Sequence, residues 1–208
     1  MRMKKAKICG IEARIFRISF TGELSFEINI PSRYGRYVWD KVIDAGKKFN
    51  ITPYGTETMH VLRAEKGFII VGQDTDGSAT PSDLNMDWIV SKKKEDFLGK
   101  RSFARSDTVR ENRKHLVGLL INDKKTVVPE GSHIVDKAHK KPPMKMSGHI
   151  TSSYHSPTLG YPIAMAMLKN GKNRSGDTVL IPLMNGKLIE ATVTDSVFYD
   201  KEGLRQND

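Results

Sequence analysis

The residues that most often carry chemistry do not have the spacing of a metal site in this 208-residue chain. Cys9 is the single cysteine, so the chain can form neither an internal disulfide nor a zinc site built from cysteines. No two of the six histidines stand four residues apart, as they do in the HExxH zinc motif. Without a paired histidine, Cys9 itself is expected to be inert. We therefore predict no metal site.

Nucleotide and calcium motifs are absent as well. There is no GxGxxG sequence, and the glycines at 72 and 77 have the P-loop spacing but are followed by Ser78 where lysine is required. Asp74 and Asp76 lack the further oxygen ligands of an EF-hand loop, so this stretch predicts a turn.

Two glutamates in an alternating stretch are more informative. Between Ile15 and Ile30 apolar residues occupy even positions, whereas polar residues, including Glu23 and Glu27, occupy odd ones. A period of two predicts strand, and Gly22 predicts a break into two strands joined by a tight turn or bulge. Glu23 and Glu27 then share a polar face, unless a bulge at Gly22 shifts Glu23 out of phase.

The elements that follow the glutamates are predicted to be helical. Ser32 is a plausible N-cap for a first helix, with apolar residues at helical spacing from Tyr37 to Phe49. A second helix is predicted from Thr56 to about Lys66.

The second helix carries the arginine of most interest. Gly67 is its expected C′ residue, because glycine readily adopts the left-handed conformation there. Arg63 lies one turn after Met59 and points either into a site or along the surface. The apolar residues 68–71 then predict a short buried strand.

The remainder of the chain has the pattern of an all-β domain. Polar residues 105–115 mark a boundary, and from Leu116 onward short apolar runs alternate with turn residues about every 8–12 positions. We predict an α+β domain over 1–112 and a small β-barrel over 113–208.

Composition excludes several classes of protein. At 23.4 kDa, with 38% hydrophobic and 28% charged residues, the chain is neither a collagen, nor a coiled coil, nor mostly disordered. No apolar run approaches the roughly 20 residues that span a bilayer, and the amino terminus lacks the apolar core of a secretory signal. We expect a cytoplasmic protein with no membrane partner.

The net charge of +10 is concentrated in one segment. Residues 100–147 contain 12 basic and 5 acidic residues, a balance of +7. Such a segment is either an anion-facing surface or a solvated connection, and we favour the second. No aromatic residue interleaves with the basic cluster at 136–145, and Pro142 and Pro143 predict a loop there.

Five separated motifs resemble one family in their order. They are similar to the aminomethyltransferase (glycine cleavage T-protein) family and, within it, to the carboxy-terminal folate-binding region of the alpha subunit of heterotetrameric sarcosine oxidase. The motifs are RISFTGELSFEI at 17–28, YGTETMHVLRAEKG at 54–67, TPSDLNMDWIVSKKKEDFLGKRS at 80–102, GHITSSYHSPTLGYPIAMAML at 148–168 and DSVFYD at 195–200.

The resemblance implies a fold and a chemistry. The fold is the second half of the α+β T-protein core followed by a carboxy-terminal β-barrel, the same division as the residue patterns predict. In the complete enzyme, oxidation of sarcosine by flavin yields an imine, and tetrahydrofolate captures the one-carbon unit as 5,10-methylenetetrahydrofolate. Glycine and hydrogen peroxide are the other products. FAD, FMN and NAD are expected elsewhere in a complex with beta, gamma and delta subunits.

The resemblance also implies folate-binding residues. Glu27 falls on the family's pterin-contacting glutamate, whose two oxygens suit the adjacent N–H donors of an aminopyrimidinone edge. Arg63 matches the family's folate-contacting arginine, which can clamp the folate carboxylates or an edge carbonyl. The competing interpretations are an exposed strand glutamate and a salt bridge from Arg63 to Glu57, Glu65 or Glu27.

Two tyrosines complete the predicted set. Tyr54 can stack on the folate rings or be a structural residue after Pro53, and Tyr199 matches a tyrosine near the family's site or closes the barrel. Trp88, Met165 and Met167 are expected in the core. The family's catalytic aspartate lies in the amino-terminal half of the fold, so no residue here is predicted to be catalytic.

Two alternatives remain open. The same fold serves aminomethyltransferases of glycine cleavage and dimethylglycine-type demethylases. The basic segment alternatively suits a non-catalytic RNA-binding module, whose affinity would fall steeply with salt. We do not expect nucleic acid as a partner.

Overall fold

The computed structural model describes residues 2–138 and 143–207. Pro142, one of the two prolines that predict a loop, lies outside the described residues. The chain divides into two compact units, one made of residues 1–63 and 200–208 and the other of residues 64–199. The domain division after residue 112 stays a prediction. No helix in the described ranges is long and apolar enough to cross a membrane.

The first unit contains a three-stranded antiparallel sheet with β2 in the middle. Its strands are β1 (Arg2–Ile8), β2 (Ile11–Arg17) and β3 (Phe26–Asn29). The break at Gly22 is wider than a tight turn or bulge, because residues 18–25 form a loop in which Gly22 has φ of 87°.

After this loop the odd-numbered residues of β3 share a face with the even-numbered residues of β2. Phe16 pairs with Glu27, and Arg17 pairs with Phe26. Directly opposed residues of neighbouring strands share a face, so Phe16 and Glu27 lie on the same face although one was predicted apolar and the other polar. Glu23 lies in the loop, where its carboxylate accepts a 2.6 Å hydrogen bond from Arg205. The prediction that Glu23 and Glu27 share a strand face is therefore wrong.

This part of the chain contains two helices, and the first of them begins and ends differently from the sequence expectation. They are α1 (Gly35–Gly46) and α2 (Thr56–Glu65). Ser32 is not an N-cap, since residues 32–34 form a 3-10 turn before α1 and Ser32 makes no side-chain capping bond. After α1, a second 3-10 turn ends at Asn50, which adopts the left-handed conformation with φ of 56°.

The end of α2 follows the prediction, but the strand after it does not. Gly67 has φ of 71°, and its N–H donates to Ala64 O at 3.1 Å, as expected for a helix C-terminus. Residues 68–71 form no extended strand, because the main chain turns back so that Asp74 N–H donates to Ile70 O at 2.9 Å. Val71 is 84% exposed.

The second unit is built on a closed barrel, which confirms the prediction of a carboxy-terminal β-barrel. Its strand order is β4-β7-β6-β5-β8-β9. A short helix, α3 (Ser106–Val109), precedes it. The strands are β4 (Lys114–Ile121), β5 (His133–Val135), β6 (Met146–Ser156), β7 (Tyr161–Lys169), β8 (Thr178–Pro182) and β9 (Leu188–Thr194).

Two apolar clusters make the core of this unit. The first is formed by buried aliphatic residues of the barrel strands and includes Leu119 and Ile181. The second centres on Met165 and Met167, which confirms their predicted core position. Trp88 was also predicted in the core, but this is wrong: it is 79% exposed, because it lies in a 3-10 turn between irregular segments.

A buried ion pair joins the 3-10 turn at Ser82–Leu84 to the residue just before β4. Both oxygens of Asp83 accept hydrogen bonds from Arg113, at 2.8 and 2.6 Å, and the two side chains are 2% and 8% exposed. Burial raises the pKa of Asp83, but the bonds from Arg113 and Thr80 outweigh it and leave the pKa below its usual value. This stabilisation is therefore present above about pH 4 and is lost as the pH falls below it.

We predict that Asp83→Asn lowers the free energy of unfolding by about 3–5 kcal/mol at pH 7, because the buried guanidinium of Arg113 loses its buried carboxylate partner and keeps only Asp107, whose side chain is 61% exposed. Asp87→Asn is the matched control, since the Asp87 side chain is 62% exposed in its ion pair with Lys172. It is expected to cost less than about 1 kcal/mol. Denaturant unfolding of both variants measures this, and equal losses would contradict the assignment.

Candidate functional site

Glu27 lies on the open face of the three-stranded sheet. Its side chain is exposed, and its cross-strand neighbour is Phe16, which is in turn opposite Met3 on β1. The three residues form one row across the strands, about 4.8 Å apart from strand to strand. A carboxylate thus stands at the end of an apolar row, an arrangement that can accept hydrogen bonds from a flat ring lying on the row.

A cleft of about 730 Å³ lies in the same unit without including Glu27. Among its lining residues are Arg14 and Asn29, which pair with each other across β2 and β3. Asn29 is two positions from Glu27 and therefore on the same face. The cleft continues to Ser32 and Gly35 near the start of α1.

Arg63 and Tyr54 differ sharply in exposure. Arg63, in the last turn of α2, is fully buried. A guanidinium is always charged and has five N–H donors, so its burial requires acceptors around it. Tyr54 lies before α2 and is 58% exposed, which leaves its ring open to stacking. Both residues belong to the first unit, as does Glu27.

Tyr199 belongs to the second unit, where it follows the last barrel strand. It is half-buried and lies outside β9, so it is not part of the closing strand of the barrel. Its N–H and that of Phe198 both donate to Glu65 O, at 2.9 Å each. The ring of Phe198 packs against the cluster around Met165.

Two glycines allow the segment 195–199 to lie where it does. A Cβ on Gly118 of β4 would be 2.1 Å from Asp195 O and 2.9 Å from the Phe198 ring. A Cβ on Gly67 would be 2.5 Å from Ser196 O. All three distances are too short for real contacts. Gly118 was not among the predicted site residues, although a glycine inside an apolar strand is a signal of close backbone approach.

A second, more polar cleft of about 420 Å³ lies beside the barrel and includes Lys114, His149 and Lys169. Burial and the neighbouring Lys114 lower the pKa of His149, and Lys114 Nζ is 3.4 Å from its Nδ1. Lys114 and Lys169 are directly opposite on β4 and β7. In the ranges 2–138 and 143–207, no group of three or more histidine, cysteine or acidic residues is arranged to hold a metal ion.

The basic segment is partly neutralised by local partners. Arg113 pairs with Asp83 and Asp107, and Arg110 is 3.3 Å from Asp107. Lys124 Nζ lies 4.1 Å from the centre of the Tyr161 ring, a cation–π contact. The described part of the segment therefore offers less free positive charge to a polyanion than its balance of +7 indicates.

Comparison with known proteins assigns the class. Residues 1–94 match the family model of the GCVT N-terminal domain, and residues 114–200 match that of the glycine cleavage T-protein C-terminal barrel domain. The chain therefore belongs to the glycine cleavage T-protein family. The solved aminomethyltransferase T of the glycine cleavage system from Bartonella henselae has the same fold, with a TM-score of 0.77 and 26% identity over 91% of this chain and 50% of that one.

Curated relatives fall into two groups. Sarcosine oxidase subunit alpha of Corynebacterium sp. (strain U-96) is 55% identical over 95% of this chain, and that of Rhizobium meliloti is 38% identical over 92%. Aminomethyltransferase of Thermotoga petrophila is 31% identical over 94%. The chain spans 20% and 19% of the length of the two sarcosine oxidase subunits and 51% of the aminomethyltransferase. The resemblance to sarcosine oxidase alpha is confirmed.

We predict that Gly118→Ala displaces the segment that carries Tyr199 and destabilises the protein by about 1–3 kcal/mol, as overpacking of a filled site does. Gly77→Ala is the control, because a Cβ on Gly77 meets nothing within 4 Å. It is expected to change stability by less than about 0.5 kcal/mol. Thermal unfolding measures the difference, and a Gly118→Ala variant as stable as the control would contradict the close approach.

Proposed function

We propose that this chain is the folate-binding part of a sarcosine oxidase alpha subunit. Tetrahydrofolate there captures the one-carbon unit of oxidised sarcosine, so that sarcosine, tetrahydrofolate and oxygen give glycine, 5,10-methylenetetrahydrofolate and hydrogen peroxide. The observation that carries the proposal is the 55% identity over 200 residues with a sarcosine oxidase subunit alpha. An aminomethyltransferase or demethylase fragment is the alternative, for which identities of 30–31% over 94% of the chain are weaker support.

Glu27 is proposed to bind the pterin. The aminopyrimidinone edge of a pterin has adjacent N–H donors, and a carboxylate has two oxygens to accept them. The row of Phe16 and Met3 beside Glu27 supports this role, because apolar side chains can support the face of the ring while the carboxylate binds its edge. A hydrogen bond to a charged group contributes about 1.5–3 kcal/mol.

Arg63 and Tyr54 are proposed to bind the rest of the folate molecule. Arg63 is proposed to bind a carbonyl or carboxylate of the ligand because it matches the family's folate-contacting arginine, and a guanidinium forms charge-assisted hydrogen bonds with such groups. The exposed ring of Tyr54 suits stacking on the pteridine or p-aminobenzoate ring. Tyr199, held by its main-chain bond to Glu65, is proposed to contact the ligand from the carboxy-terminal segment.

The rest of the reaction is proposed to be carried out by other parts of the complex. No residue of this chain is assigned a catalytic role. Flavin, held as FAD or FMN elsewhere, supplies the oxidation of sarcosine, and NAD is also expected outside this region. The proposed partners are the remainder of the alpha subunit and the beta, gamma and delta subunits, since the chain spans 20% of the sarcosine oxidase relative. Location in the cytoplasm is part of the proposal.

We predict that residues 1–208 alone bind tetrahydrofolate only weakly and have no sarcosine oxidase activity. The reason is that the family's catalytic aspartate and the other wall of the folate cleft belong to the amino-terminal half of the fold. Isothermal titration calorimetry on the isolated chain measures the affinity. A dissociation constant of about 1 µM or tighter, corresponding to about 8 kcal/mol of binding free energy, would contradict this prediction.

We further predict that Glu27→Ala in the full complex weakens tetrahydrofolate binding about tenfold or more, as expected for the loss of a hydrogen bond to a charged group. Glu12→Ala is the matched control, because Glu12 is an exposed glutamate of the same sheet, 3.4 Å from Lys7. The measurement is the yield of 5,10-methylenetetrahydrofolate as a function of folate concentration. An unchanged yield in Glu27→Ala would refute the assignment.

A further inference from the structure

The carboxylate of Glu65 is buried at the carboxyl end of α2. Glu65 is only 2% exposed, and each of its two carboxylate oxygens accepts a hydrogen bond from a hydroxyl group. Ser156 Oγ donates to Oε1 at 2.5 Å, and Thr158 Oγ1 donates to Oε2 at 2.9 Å. Ser156 Oγ also accepts the N–H of Leu159 at 2.9 Å. The carboxylate is thus attached to the connection between β6 and β7.

The main-chain carbonyl of the same residue holds the carboxy-terminal segment. The last carbonyl groups of a helix have no partner inside the helix. Glu65 O obtains two, the N–H groups of Phe198 and Tyr199, each at 2.9 Å. Glu65 therefore makes two sets of contacts. Its carboxylate binds the end of β6 and the β6–β7 connection, and its main-chain carbonyl binds the main chain at Phe198 and Tyr199.

These two sets of contacts are mechanically linked. Helix ends fray unless other groups hold them, and the carboxylate of Glu65 holds this end in the fixed frame of the barrel. Without that anchor, the carbonyl that orients Tyr199 is free to move with the last turn of the helix. A buried carboxylate also carries a large desolvation cost, which the two hydroxyl donors offset.

We propose that Glu65 is a positioning residue of the folate site, acting through Tyr199. The inference rests on the proposed function, in which Tyr199 contacts folate. Glu65 itself touches the β6–β7 connection and the segment before the chain end, and it needs no contact with the ligand. From the sequence, Glu65 was predicted only as one possible salt-bridge partner of Arg63.

A double-mutant cycle in the complete alpha subunit, within its complex, tests this proposal. The variants are Glu65→Gln, Tyr199→Ala and both together, with tetrahydrofolate affinity and thermal unfolding measured for each. We expect Glu65→Gln to raise the dissociation constant about fivefold, comparable with the loss of one hydrogen bond. In the Tyr199→Ala background the same change is expected to have less than about a twofold effect, because linked residues are not additive. A purely structural role would lower stability and leave the two effects on affinity additive.

Substitution of the hydroxyl donors checks the same link without altering the carboxylate. Ser156→Ala and Thr158→Val are each expected to weaken folate binding, as Glu65→Gln does. They therefore test the link even if the Glu65→Gln variant fails to fold. Ser147→Ala is the matched control, since Ser147 is another buried serine of the barrel, and its Oγ donates to Ile134 O at 3.1 Å. It is expected to leave folate affinity unchanged.

Three results would overturn the inference. The first is an unchanged affinity in Glu65→Gln, Ser156→Ala and Thr158→Val while Tyr199→Ala weakens binding, which leaves the proposed function intact. The second is full additivity in the cycle. The third is an unchanged affinity in Tyr199→Ala, which removes the proposed role of Tyr199 and the inference with it.

Discussion

The last carbonyl groups of a helix have no hydrogen-bond partner inside the helix, and the carboxy-terminal half of this chain depends on how one such group of α2 obtains its partners. The carbonyl of Glu65 at the end of α2 accepts the N–H groups of Phe198 and Tyr199, and its carboxylate binds Ser156 and Thr158. The helix end, the β6–β7 connection and the last segment of the unit are therefore held by one residue. The last segment of the unit can lie close to β4 because Gly118 has no side chain at the position that Asp195 O occupies.

The sheet of the first unit obeys a different constraint, the register across a loop. Residues 18–25 leave the strand direction, and β3 then pairs with β2 so that Glu27 faces the same way as Phe16. An unbroken strand would place these two residues on opposite faces. The loop thus creates the combination of an acidic group and an aromatic ring on one open surface, which supports the proposed pterin-binding role.

Electrostatics in the second unit are local rather than global. The segment 100–147 has an excess of seven positive charges, yet Arg113 is buried against Asp83 and also binds Asp107. Pairs of this kind stabilise a particular packing of loop on strand, and they reduce the field available to a polyanion. Net charge along a sequence is therefore a poor guide to a binding surface until the partners of each charge are known.

The sequence by itself determined the family, the barrel and the end of α2 just before Gly67. These follow from motif order, from short-range periodicity and from the conformational freedom of glycine, which are properties of neighbouring residues. The tertiary structure alone decided that Phe16 shares a face with Glu27, that Trp88 is exposed, and that residues 68–71 turn rather than extend. It alone also joined Glu65 to Tyr199, because residues 134 positions apart meet only when the barrel closes, and no local pattern records that contact.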